Sequence, residues 1–218
     1  MKRILNAIKD YDKFDDRCDE INPKKQNAEM RETILAIKEV MEAKKLSALA
    51  APQIGYRNRI VCLKFGDKQP ITYVNPFITK VNGFTLSKES DISIPNKTFI
   101  VPRNVEVEVQ YCTPLGQWMT QKMTGMTAFV MQRMINMLDG LLISDIGLEI
   151  DEEWDKATDE ERAEVIKAYC ESLDITMKDV QKDIEDSDGT LKKVYSAIKF
   201  AEGVNSGKVK LETVEENK

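Results

Sequence analysis

The side chain that most often does acid–base and metal chemistry near neutral pH is missing, since none of the 218 residues is a histidine. Ser–His and Cys–His nucleophiles are therefore excluded, as is any zinc site built on imidazole. Carboxylate chemistry, lysine chemistry and all-oxygen cation sites remain open. The four cysteines, Cys18, Cys62, Cys112 and Cys170, are widely spaced and form no C-x-x-C pair. Neither a zinc knuckle nor a disulfide framework is indicated. Isolated thiols in apolar runs read as small buried hydrophobes.

Three separated segments carry a more specific pattern. The first is Leu46-Ser47-Ala48-Leu49-Ala50-Ala51-Pro52-Gln53, followed by Ile54-Gly55. The second is Glu89-Ser90-Asp91-Ile92-Ser93-Ile94-Pro95, with Val101-Pro102-Arg103 after it. The third is Gln132-Arg133-Met134-Ile135-Asn136-Met137-Leu138-Asp139-Gly140. In this order they resemble the three motifs of peptide deformylases, G-x-G-L-A-A-P-Q, E-G-C-L-S with I-P and V-P-R, and Q-H-E-x-D-H-L-x-G. The resemblance covers roughly residues 1 to 146.

That resemblance implies metal-assisted hydrolysis of an N-formyl amide in the family at large. The metal is held there by the cysteine of the second motif and two histidines four apart on one helix face. A glutamate between them moves the proton of the attacking water. A glutamine and the backbone N–H after the cysteine stabilise the oxyanion. In this chain the cysteine position is Asp91, the histidine positions are Arg133 and Met137, and the glutamate position is Met134. The glutamine is kept as Gln53, and the N–H donor is that of Ile92. Thioether and guanidinium groups supply no base, and a permanently protonated arginine repels a dication. The expectation is a family member without metal, cofactor or deformylase activity.

Filling the space of the lost ion is expected to bring Asp91 and Arg133 together as an ion pair. At about 4 Å and an effective dielectric near 20, the attraction is about 4 kcal/mol, much of it cancelled by desolvation. Six of the ten methionines lie between Met119 and Met137, and these flexible side chains are expected to fill the vacated cavity. Leu46 and Ala48 replace two glycines and are expected to narrow the substrate cleft.

Several elements must position these residues. Met30, Ile34, Ile37 and Met41 recur at helical spacing and predict a helix over 28–45. Arg59 to Phe65 reads as a buried strand, and Ile71 to Thr79 as an extended run that Pro76 makes an edge or a bend. Alternation of Val105, Val107, Val109 and Tyr111 with Glu106, Glu108 and Gln110 predicts a half-buried strand over 104–113. Pro114-Leu115-Gly116 is a turn, with a return strand at 117–123. Residues 124–138 form an apolar helix ended by Asp139-Gly140. The fold class is α+β, a deformylase-like domain of antiparallel strands around a central buried helix.

Charge divides the chain. Residues 1–147 carry 21 Lys and Arg against 17 Asp and Glu, whereas residues 148–218 carry 11 against 20. Two regions are expected, a deformylase-like domain over 1–147 and an acidic helical extension over 148–218. Thr158 and Glu161 form a capping box ahead of a helix to about Leu173, and further helices are expected at 176–184 and 191–201. An acidic tail opposes direct nucleic-acid binding. No apolar run approaches a membrane span, and residues 1–10 lack the pattern of a secretory leader, so a cytoplasmic protein is expected.

A fold kept after its chemistry is lost serves binding or assembly. The leading expectation is a structural subunit of a larger assembly, docked through the C-terminal extension onto protein partners, with a bacteriophage virion assembled in the cytoplasm as its context. The alternatives are a non-cleaving binder of N-formylmethionyl or other peptide N-termini, and a divergent deformylase-like hydrolase.

Overall fold

The computed structural model describes residues 2–7, 9–14, 16–23 and 28–173. In chain order the elements are α1 (Ala28–Lys44), β1 (Ala48–Ala50), a 3-10 turn (Ala51–Ile54), β2 (Ile60–Leu63), β3 (Ile71–Asp91), β4 (Ile94–Cys112) and β5 (Trp118–Thr124). They are followed by α2 (Met126–Leu138), α3 (Ile143–Ile146), β6 (Leu148–Ile150), α4 (Glu152–Lys156) and α5 (Asp159–Ser172). By internal contacts the chain divides into two units, Met1–Asn82 with Leu86–Glu149, and Gly83–Thr85 with Ile150–Lys218.

The strands lie in the order β1-β2-β3-β4-β5. Strand β2 pairs antiparallel with β1 (Leu49↔Cys62) and with β3 (Val61↔Tyr73), and β4 pairs antiparallel with β5 (Val109↔Gln121). All four residues of β2 are buried because the strand is covered on both faces. Ile60 and Cys62 join the core made with Ile37, Val40 and Met41 of α1. Val61 and Leu63 point the other way, into the core made with Met131, Met134, Met137 and Leu138 of α2. The two-residue period of a strand thus serves two helices at once.

The expected helix over 28–45 is present as α1, and its buried residues include all four members of the apolar stripe. Helix α2 is apolar nearly all round, yet its first residue, Met126, is 69% exposed. Its buried residues begin at Ala128 and continue through Met131, Gln132, Met134, Ile135, Met137 and Leu138, whereas Phe129, Val130, Arg133 and Asn136 are half-buried. The α2 helix stops where Gly140 takes a left-handed conformation at φ 81°.

The run at 71–79 is neither an edge nor the end of a strand. Strand β3 lies between β2 and β4 and continues for 21 residues. On its β2 side Pro76 is tolerated because that ladder ends at Val74, so β2 does not need its missing N–H. The bend falls one residue earlier, at Asn75, whose φ is 49°. Its side chain holds the turn by accepting from Ile21 N–H at 2.9 Å and donating to Ile21 O at 2.6 Å.

In the second unit, the Thr158–Glu161 capping box closes with Glu161 N–H on Thr158 Oγ1 (3.2 Å) and Thr158 N–H on Glu161 Oε2 (2.8 Å). Arg162 Nε donates to Trp154 O at 2.8 Å, tying α5 to α4. The helices expected at 176–184 and 191–201 lie outside the described residues. Among the described residues no helix is long and apolar enough to cross a membrane.

Candidate functional site

On the last stretch of β3 the usual alternation is inverted. Ser87, Glu89 and Asp91 point inward and are buried, while Lys88 and Ser90 are exposed. Carboxylates on a buried strand face require partners, because an unpaired charge there costs several kcal/mol. Arg103, one of the inward-facing residues of β4 and 3% exposed, meets Glu89 side-on, with Nε on Oε1 at 2.7 Å and Nη2 on Oε2 at 3.0 Å. Its remaining Nη1 donates to Asn136 Oδ1 at 2.9 Å, which fixes the pair against α2.

Arg133, on α2, faces both carboxylates. Its Nη1 donates to Glu89 Oε2 at 3.3 Å, and its Nε lies 3.3 Å from Asp91 Oδ2. The Nε–H is not aimed at that oxygen and makes no hydrogen bond, so the contact with Asp91 is purely electrostatic. At this distance and an effective dielectric near 20, the attraction is about 5 kcal/mol before desolvation, which removes much of it. Two carboxylates and two guanidinium groups leave the cluster without net charge.

The other oxygen of Asp91 is also occupied. Oδ1 accepts from Ser93 N–H at 2.8 Å and from Gln53 Nε2 at 3.1 Å. Gln53 is 1% exposed, and its amide is fully engaged. Its Nε2 also reaches Ser93 Oγ at 3.3 Å, and its Oε1 accepts from Ala50 N–H at 2.9 Å. The 3-10 turn places Gln53, with Pro52 preset at its start and Gly55 ending it at φ 84°. The N-terminal segment fastens both sides of this arrangement, through Leu5 N–H on Gln53 O (2.8 Å) and Ala7 N–H on Ser93 O (2.7 Å).

The structure therefore brings Gln53, Asp91 and Arg133 together. Met134 and Met137 are 1% and 2% exposed and belong to the core under α2. Ile92, in the two-residue link between β3 and β4, is 42% exposed. Of the six methionines from Met119 to Met137, Met123, Met131, Met134 and Met137 are buried, and Met119 and Met126 are exposed.

Comparison with known proteins places the fold. The family model described as polypeptide deformylase matches residues 1–151. The chain belongs to the peptide deformylase family. The peptide deformylase of Symbiobacterium thermophilum is 30% identical over 149 residues, which are 67% of this chain and 69% of that protein. That of Chlorobium phaeobacteroides is 29% identical over 122 residues, 53% of this chain and 65% of that one, so the match spans just under two thirds of that relative. The crystal structure of the peptide deformylase from Thermotoga maritima superposes with a TM-score of 0.61 at 26% identity, covering 67% of this chain and 97% of that one.

At the three positions that the motif resemblance assigns to the family's metal ligands stand Asp91, Arg133 and Met137. They do not fit a divalent transition ion. One Asp91 oxygen already accepts two hydrogen bonds and the other lies against the Arg133 guanidinium, which is a fixed cation, and a buried thioether is a poor ligand for Zn²⁺ or Fe²⁺. Glu89, Arg103, Ser93 and Asn136 complete the cluster and were not singled out from sequence. A signal existed for Glu89, which is two residues before Asp91 and so shares its strand face. Arg103 is the nearest motif residue able to answer a second buried carboxylate.

Proposed function

We propose that this deformylase-family chain does not hydrolyse formyl groups and that its fold works as an interaction subunit of a larger assembly. One observation carries the loss of hydrolysis: the Arg133 guanidinium sits within 3.3 Å of both Glu89 and Asp91, where the motif resemblance puts a metal ion. The state of Gln53 supports it. An amide that already donates to Asp91 and Ser93 has no N–H left to stabilise an oxyanion. With Met134 in place of the proton-moving glutamate, the site also lacks a base for water.

A second reading, a divergent hydrolase of the same class, is favoured by the relatives, which are named peptide deformylases. It requires Arg133 to swing away and a metal to bind through the freed carboxylates. Turnover of formyl-Met-Ala-Ser by the purified chain, supplied in turn with Fe²⁺, Ni²⁺, Co²⁺ and Zn²⁺, separates the two. The expected result is release of formate no faster than in buffer. Metal-dependent release that disappears in Asp91→Ala would establish the hydrolase reading instead.

A further inference from the structure

A cavity of about 570 Å³ opens between the C-terminal end of α1, the link into β1 and the loop from β2 to β3. It shares no residue with the Asp91–Arg133 cluster. Four lysines line it, Lys38 from α1, Lys45 from the following turn, and Lys64 and Lys68 from the far loop. Glu42 and Asp67 are its acidic members, so the wall carries a net positive charge. Among the described residues none of the four ammonium groups forms an ion pair.

Part of this pattern has a local cause. Lys45 sits just past the helix C-terminus, where a cation complements the helix dipole. That cause does not reach Lys64 or Lys68, which arrive from a different element and bring their charge to the same cavity. Converging like charges repel unless a counter-charge joins them, and a concave wall raises the local potential. The floor is less polar, with Met41, Leu46 and Pro70. Cations around an apolar floor match a compact ligand with both an anionic and an apolar part. The volume suits a small molecule, whereas a nucleic-acid strand is tracked along an extended basic groove.

We propose that this cavity binds a small organic phosphate of nucleotide size, its phosphates held by Lys45, Lys64 and Lys68 and its body resting on Met41, Leu46 and Pro70. The site is independent of the reading given above for the deformylase motifs.

Calorimetry of the full chain with ADP, pyrophosphate, adenosine and a single-stranded oligonucleotide tests it. The expected ranking is ADP above pyrophosphate, with no binding of adenosine. Affinity for ADP should fall when salt rises from about 20 to about 200 mM, as screening shortens the reach of the lysines. The double variant Lys45→Ala/Lys64→Ala should weaken ADP by about tenfold or more, while Lys80→Ala/Lys122→Ala leaves it unchanged. Both variants change exposed side chains, and circular dichroism checks that each remains folded. Absence of ADP binding at low salt, binding that survives Lys45→Ala/Lys64→Ala, or a preference for the oligonucleotide over ADP would each overturn the proposal.

Discussion

At the scale of single residues, the cluster around Glu89 joins two carboxylates and two guanidinium groups on buried faces of β3, β4 and α2. Glu89 serves two arginines, one of them 3% exposed, whereas Asp91 also has Gln53 and Ser93. Removing Glu89 strands a buried guanidinium, so Glu89→Ala should cost about 4 kcal/mol. Arg133 is more exposed, and its loss leaves Glu89 with Arg103 and Asp91 with two neutral donors. Arg133→Ala should therefore cost less, about 3 kcal/mol. Urea unfolding of the two variants measures the difference, and the opposite ranking would contradict the assignment of Glu89 as the hub. Motif order led to Gln53, Asp91 and Arg133, but it did not reveal this hub. A glutamate inside a family motif reads as part of the pattern, and only burial shows that it holds two cations.

At the scale of elements, legibility followed hydrophobic period. Helix α1 and the second half of β4 have apolar residues at regular spacing, and both were readable. The second half of β3 was not, because its buried face is Ser87, Glu89 and Asp91 while the half-buried residues facing the other way include Phe84 and Leu86. A pattern rule that sends apolar residues inward misreads such a strand. Pro76 left two options, an edge or a bend, and only the sheet order decides between them: β3 is internal and the chain bends at Asn75. Gly147 makes a local requirement visible. A Cβ there would lie 2.5 Å from Ile143 O, 3.0 Å from Phe99 Cβ and 3.1 Å from Val101 Cγ2. Backbone and core atoms cannot move aside cheaply, so Gly147→Ala should destabilise by about 1–3 kcal/mol through overpacking. A thermal melt unchanged from the parent protein would show that α3 is not packed this tightly.

At the scale of the whole molecule, burial of the thiols makes stability depend on alkaline pH. Desolvation pushes Cys18 and Cys62 up from 9.0 to about 11 each. Below pH 9 these thiols are protonated in both folded and unfolded chains and contribute no pH dependence. Between about 9 and 11 the unfolded chain ionises them while the folded chain keeps the protons, so stability falls as pH rises through that window. Tyr73, raised mainly by burial beside Tyr111, acts in the same direction. Urea midpoints measured from pH 8 to pH 11 should decline, and the decline should be shallower in Cys18→Ala/Cys62→Ala. A flat profile for the parent chain would contradict the burial of these groups. The α+β class of the whole was legible because three motifs, each weak alone, occur in one order with the right elements between them. Gly83–Thr85, from the middle of β3, groups with the second unit, and such a long-range association leaves no local mark in composition.

The proposed loss of hydrolysis rests on the Arg133 guanidinium standing at a position that the motif resemblance assigns to a metal ligand. Equilibrium dialysis against Zn²⁺, Fe²⁺ and Ni²⁺, followed by elemental analysis, addresses it directly. The parent chain should retain far less than one equivalent of any of these ions, and the triple variant Asp91→Cys/Arg133→His/Met137→His should acquire close to one. Retention of a full equivalent by the parent chain, lost on changing Asp91 to alanine, would contradict it.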